Sequence, residues 1–199
     1  MITPRPYLSW SSMDLLERNI EKWKLLYFQN IKMFSNSGMD FGRKMADALE
    51  NEEASGDIIL DLLIERIEKF EIRDKIFVAK LKYGKKEVPI LIKMDTTKKD
   101  FSAFKEYKSG VVAWTQSKAD KSGQVTFYAT GIYLLTGKIP EDIELVWAQT
   151  FKNDDGEIQA TGEIKIFKTK RTMADVLKMM IRMKNAWALI EKISEEEYL

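Results

Sequence analysis

The chain has 199 residues, 45% of them apolar and 32% charged, with 32 Lys+Arg against 31 Asp+Glu and neither cysteine nor histidine. Without cysteine there can be no disulfide, thiolate zinc site, Cys-ligated iron–sulfur cluster or Cys nucleophile. Without histidine there can be no Ser-His-Asp triad, imidazole acid–base group or His-ligated metal, so any metal here is a hard cation held by oxygen.

The net charge of +1 hides a separation. From Asp47 to Asp74 there are ten acidic residues against three basic ones, a balance of −7. From Lys75 to Lys121 there are twelve lysines against five acids, a balance of +7. Such a split can draw a polyanion to one part of the surface, although charge runs on their own usually mark solvated faces. No apolar stretch approaches the roughly 18 residues of a membrane span, and MITPRPYLSW lacks a signal-peptide core. The expectation is a soluble, cytoplasmic protein with no membrane contact.

In chain order, Ser11 or Ser12 can cap a helix whose apolar positions Leu15, Leu16, Ile20, Trp23, Leu26, Tyr27, Ile31 and Phe34 repeat at close to 3.6 residues. SNSG (35–38) breaks it, and FGRKMADALEN (41–51) resumes as a short helix. Another helix starts near Asp57, with Ile58, Ile59, Leu62, Leu63 and Ile67 on one side. The pattern then turns to strands, KIFVAKLKY (75–83) and EVPILIKMD (87–95), around a Gly84-Lys85-Lys86 hairpin signal. VPILIKM is apolar at nearly every position and reads as a central strand covered on both faces. TTKKD (96–100) leads into a strand within 101–110, and a helix is expected from about Ala119 to Leu135, ending at TGKIP. IELVWAQTF (143–151) and EIQATGEIKIF (157–167) form a second hairpin about Asn153–Gly156. Thr172 caps a last helix, whose methionines fill core. No linker, repeat or low-complexity tract interrupts this order, so a single α/β domain over 1–199 is expected.

Three residues on the middle strands stand out. Asp95 ends an apolar strand, and Glu106 and Lys108, two apart on the next, share a face that excludes Tyr107. Two carboxylates and an ammonium beside an apolar strand are costly unless they are paired or hold a metal. Mg²⁺ or Mn²⁺ suits one or two carboxylates plus water and phosphate, and a nearby lysine can orient the water or stabilise charge on phosphorus. The competing reading is a structural salt bridge. A second E-x-K, Glu163-Ile164-Lys165, lies opposite Ile164 and Ile166 on an edge hairpin and reads as solvated.

Asp95, then Glu106-Tyr107-Lys108-Ser109-Gly110, then Gln124-Val125-Thr126-Phe127-Tyr128 resembles the PD-(D/E)XK nuclease superfamily, in its RecB-like and Cas4-like exonuclease branch. Residues 8–28 are similar to the branch's opening S-x-S-x-L segment, 41–50 to its G-x-x-x-H-x-x-LE helix, and 175–192 to its closing helix. The resemblance implies a restriction-endonuclease-like α/β fold, a central mixed sheet flanked by helices with further N- and C-terminal helices. It implies a Mg²⁺- or Mn²⁺-dependent deoxyribonuclease, an exonuclease of DNA repair, recombination or phage DNA processing, acting in the cytoplasm or, if virus-encoded, in that of the host. Asp95 and Glu106 would ligand the metal, with the Tyr107 carbonyl as a further oxygen and Lys108 as the catalytic lysine. Gln124 and Tyr128, four apart on one helix face, would orient lysine and phosphate. The motif histidine falls at Ala46, and Glu50, one turn on, is the candidate acidic substitute. The iron–sulfur variant is excluded.

Within the basic stretch, Lys98, Lys99, Lys118 and Lys121 are the candidates for DNA phosphates, and Trp114 either stacks on a base or edges the core. A helicase, a recombinase or further copies of the chain are the partners implied besides DNA. The alternative is a catalytically silent DNA-binding or assembly subunit of the same fold.

Overall fold

A computed structural model describes residues 4–31, 35–51 and 54–197. The chain begins with β1 (Leu8–Ser9) and runs straight into α1 (Trp10–Arg18). Ser9, earlier than the expected Ser11 or Ser12, is the cap, its Oγ accepting the Ser12 N–H at 3.4 Å. The expected long helix is broken at Asn19, whose extended backbone (φ −161°, ψ 94°) closes α1 and opens α2 (Ile20–Tyr27). The Asn19 side chain makes this possible by accepting the Lys22 N–H at 2.8 Å. Ile31 lies beyond α2, and Phe34 lies outside the described residues. The next helix, α3 (Ser37–Asn51), starts inside the SNSG stretch.

The helix expected from about Asp57 is α4 (Ile58–Glu65), capped by Asp57, which accepts from Ile59 and Leu60. The expected apolar side is only partly right. Leu60, Leu63, Ile64 and then Ile67 are buried at i, i+3, i+4, i+7, whereas Ile58, Ile59 and Leu62 face outward.

Two hydrogen-bonded sheets follow. One has the order β1-β4-β3, with β3 (Ile76–Tyr83) antiparallel and β1 parallel to β4 (Lys86–Lys93). The other takes β2 (Ile72–Arg73), β5 (Thr96–Thr97), β6 (Ala103–Gly110), β7 (Asp142–Lys152) and β8 (Ile158–Thr169) in that order, with β6 and β7 parallel. The strand of Asp95 and the strand of Glu106 are therefore not hydrogen-bonded neighbours, as sequence spacing suggests. They belong to different sheets, and the turn containing Asp95 passes from one to the other. β4 does lie centrally, between β1 and β3, but Val88, Ile90 and Ile92 bury one face while Pro89 and Leu91 are only half-covered.

The helix expected from 119 to 135 is two helices, α5 (Gln116–Asp120) and α6 (Gly123–Thr136), capped by Thr115 and Ser122. Gly137, at φ 74°, ends α6 in the left-handed conformation that glycine adopts without a side-chain clash. Thr172 and Asp175 cap the long α7 (Met173–Glu197) reciprocally.

Helices cover both faces of the five-stranded sheet. One core joins α1, α2, α6 and α7 to β3, β4 and the β6–β7 face carrying Leu145 and Trp147. The other joins α3 and α4 to the opposite face, at Val146 and Ala148. Two glycines let α6 seat closely. A Cβ at Gly123 would stand 2.2 Å from the Trp10 ring, and one at Gly131 would stand 2.6 Å from Ile92.

Candidate active site

Alternation along β6 sends Glu106 and Lys108 towards α6, and Tyr107 the other way to pack against the α3–α4 core. Lys108 Nζ donates to Glu106 Oε1 at 2.6 Å and to Gln124 Oε1 at 2.8 Å. Gln124 Nε2 donates back to Glu106 Oε1 at 2.7 Å and to the Tyr128 hydroxyl at 3.0 Å. Four of the five residues expected to carry chemistry thus form one closed network. The fifth, Asp95, reaches it from the turn after β4, where its Oδ2 accepts the Tyr107 N–H at 2.5 Å.

The position of Gln124 at the start of α6 is fixed from two directions. Trp10 packs where a side chain on Gly123 would otherwise be. Arg171, only 7% exposed, spends its guanidinium on the junction around it. It donates to the Ala119 and Ser122 carbonyls at 3.1 and 3.2 Å, and to Thr126 and Thr169 hydroxyls at 2.7 Å.

Burial sets the electrostatics. Removal from water, and then the neighbouring Glu106 charge, push the Asp95 carboxyl up to about 8. The Glu106 carboxyl, 3% exposed, is also raised by burial, against the pull of Lys108. Burial disfavours the Lys108 ammonium, but Glu106 outweighs that and holds it above the ordinary lysine range. The second oxygen of Glu106, Oε2, is buried without any hydrogen-bond partner. A desolvated pair of carboxyls, one of them with an orphan oxygen, is chemically suited to a hard divalent cation.

A cleft of about 360 Å³ is lined by Asp95, Glu106, Gln124 and Tyr128 together with Ser9, Trp10, Arg5, Asp74 and Lys93; Lys108, hydrogen-bonded to Glu106 and Gln124, is not itself on the lining. Ala46, where the resemblance would place a histidine, lines it too and offers no ligand. Glu50 lies outside this cleft. It borders a small adjoining cavity with Asp95 and Tyr107, and its carboxyl is raised by desolvation and by facing Asp74. Among the described residues no three carboxylates are gathered closely enough to cage an ion.

The expected DNA-contacting residues Lys98, Lys99, Trp114, Lys118 and Lys121 do not line the cleft. Lys98 lies over the Phe70 ring at 5.5 Å, and Lys118 over the Trp114 ring at 4.4 Å. Conversely, sequence spacing does not single out Asp74, Lys93, Arg5 or the buried Lys105. Lys105 is matched by Glu68 at 2.7 Å and Glu144 at 3.0 Å on the far face of β6, as a structural cluster. Glu163 and Lys165 are exposed, as expected of the second E-x-K.

Seen whole, the fold has solved counterparts. A candidate exonuclease from Eubacterium rectale superposes with a TM-score of 0.59 at 12% identity, over 96% of this chain and 82% of its own. The protein SSO0001 superposes at 0.52 with 13% identity, over 95% and 79%. An alkaline exonuclease from Laribacter hongkongensis superposes at 0.51 with 12% identity, over 97% and 91%. The chain has the fold of these proteins. No protein-family model matches it, and a search of curated proteins finds no relative. Among the described residues no helix is long and apolar enough to cross a membrane.

Proposed function

We propose that the cleft hydrolyses phosphodiester bonds of DNA with the help of Mg²⁺ or Mn²⁺, and that the chain is a deoxyribonuclease of the RecB-like PD-(D/E)XK type acting on DNA ends. The observation that carries this reading is the buried Asp95–Glu106 pair, with the orphan Glu106 Oε2, beside the Lys108–Gln124–Tyr128 network. The fold shared with two structures named as exonucleases supports it.

Asp95 and Glu106 would hold the cation, with the Tyr107 carbonyl as a neutral oxygen donor and Glu50, on the adjoining cavity, as the further acidic candidate. When bound, the cation lowers the pKa of a coordinated water and offsets charge developing on the phosphate. Lys108, kept protonated by Glu106, presents its ammonium to the attacking water or to the phosphate oxygens. Gln124 holds Lys108 through one amide atom and Tyr128 through the other, so the lysine cannot swing away. Tyr128, whose hydroxyl is held neutral by burial, offers a donor rather than a charge.

Ala46 at the histidine position favours a second reading, a subunit of this fold that binds DNA without cutting it. One experiment separates the two: end-labelled linear and closed circular DNA incubated with the purified chain and Mg²⁺, then Mn²⁺. Loss of label from linear DNA alone marks an exonuclease, and opening of the circle marks an endonuclease. Binding with neither metal producing any cut would replace the enzymatic reading by the silent one.

A further inference from the structure

Lys93 ends β4 and stands two residues before Asp95, mirroring the two-residue step from Glu106 to Lys108. Its Nζ lies 2.6 Å from Asp74 Oδ1, with half of its side chain exposed. Asp74 carries a positive φ of 41°, uncommon for a residue with a side chain, and its N–H donates to the Asp95 carbonyl at 3.1 Å. The Asp74 carboxylate is thereby fixed to the same turn that carries Asp95. An ion pair this open contributes little to the fold.

The cleft has a charge problem. Asp74, Asp95 and Glu106 all line it, and a phosphodiester brings another negative charge. Of the cations on its lining, Arg5 is engaged with aromatic rings, its guanidinium 4.5 Å from the centre of Tyr27. Lys93 has a long flexible stem, a compact charge and an exchangeable contact with Asp74, with Glu50 and Asp95 adding weaker attraction.

We propose that Lys93 is a second phosphate-binding residue, held by Asp74 in the free protein and handed to a non-bridging phosphate oxygen when DNA enters the cleft. The assignment rests on the phosphodiesterase reading above. Asp74 then acts as a positioning residue. It keeps Lys93 at the wall and competes with DNA for it.

The test is binding of a fluorescent oligonucleotide, with Ca²⁺ in place of Mg²⁺, across a salt series. Lys93→Met should weaken binding several-fold and flatten the plot of log K against log salt by about one unit, the signature of one lost phosphate contact. Lys93→Arg should keep the slope. Asp74→Asn should tighten binding, and this gain should shrink in the Lys93→Met background. Melting curves should show both single variants folded and shifted alike. A purely structural pair predicts those same melting shifts with DNA affinity unmoved. A wild type that binds and cuts while Lys93→Met keeps the slope, or an Asp74→Asn gain equal in both backgrounds, would overturn the Lys93 assignment and leave the nuclease reading standing. A wild type that neither binds nor cuts would remove the reading beneath it.

Discussion

Asp95 accepts the backbone N–H of Tyr107 at 2.5 Å, a side-chain bond that ties the turn leaving one sheet to the middle strand of the other. It also puts the Asp95 carboxyl beside Glu106, the next residue back along β6. Two buried carboxyls are brought together by one hydrogen bond, and most of the site's behaviour should follow from their loss of water and, after that, from their proximity.

The first consequence is a pH dependence of unusual sign. In the folded, metal-free protein Asp95 is pushed up to about 8, whereas in the unfolded chain it returns to the ordinary range near 3.8. Between those values the folded state holds the extra proton, so stability falls as pH rises through this window. Melting in a chelator should therefore be lower at pH 8 than at pH 5 because of this group. Asp95→Asn, which can still accept the Tyr107 N–H, should remove that slope and melt above wild type at pH 8. A wild type whose melting point climbs from pH 5 to 8, with a parallel Asp95→Asn curve, would show that the carboxyl is not so perturbed.

Divalent cations should reverse the effect. Millimolar Mn²⁺ at pH 8 should raise the melting temperature of wild type by several degrees, since binding to the folded state alone stabilises it by mass action. Asp95→Asn and Glu106→Gln should each lose most of that gain. An equal gain in all three proteins would place the ion elsewhere.

Lys108 is the partner of a buried carboxylate and, in the proposed reaction, the group that acts on water or phosphate, so its removal should be felt twice. Lys108→Met should lower cleavage by roughly two to four orders of magnitude, the size typical of losing a positioned proton-transfer or charge-stabilising group. It should also lower metal-free melting, because Glu106 keeps only Gln124 as a donor. The melting deficit should close with Mn²⁺ while the cleavage deficit remains. Full activity in the variant would exclude a chemical role for the lysine.

Gly123→Ala tests the seating of α6. The new methyl would collide with Trp10, and overpacking of this kind costs about 1–3 kcal/mol. Because Gln124 is the next residue, kcat should fall beyond what the lost stability explains. Pairing the change with Trp10→Leu, which makes room, should restore activity. Wild-type turnover in Gly123→Ala alone would mean that the start of α6 tolerates displacement.

The cluster was legible in the sequence partly from local pattern, for Asp95, Glu106 and Lys108, and partly from the family resemblance, which brought in Gln124 and Tyr128. Asp95 ends an apolar run, Glu106 and Lys108 share a parity, and Gln124 and Tyr128 share a helical turn. What escaped was whatever depends on distant pairing. The two residues of β1 carry no periodicity, yet Ser9 caps α1 and lines the cleft while Leu8 is buried in the core. Lys93 and Asp74 look like members of opposite charge runs, and only the fold shows them in contact. The lysines at 98, 99, 118 and 121 looked equivalent to Lys93 in charge, but charge counts carry no direction. The break at Asn19 was hidden because the apolar spacing continues through it.

The parallel pairing of β1 with β4 sets an order of events at the ribosome. Leu8 and Ser9 are made before their partners Ile90 and Leu91, which follow some eighty residues later. The segment 95–128, which holds the whole Lys108 network, follows closely behind those partners. The β1 side of the cleft and its Lys108 network therefore become dockable within one short interval of synthesis. Until then the opening residues have no strand to join, so a nascent chain stalled before β4 would display Trp10, Met13 and Leu16 without cover, a surface suited to capture by a chaperone.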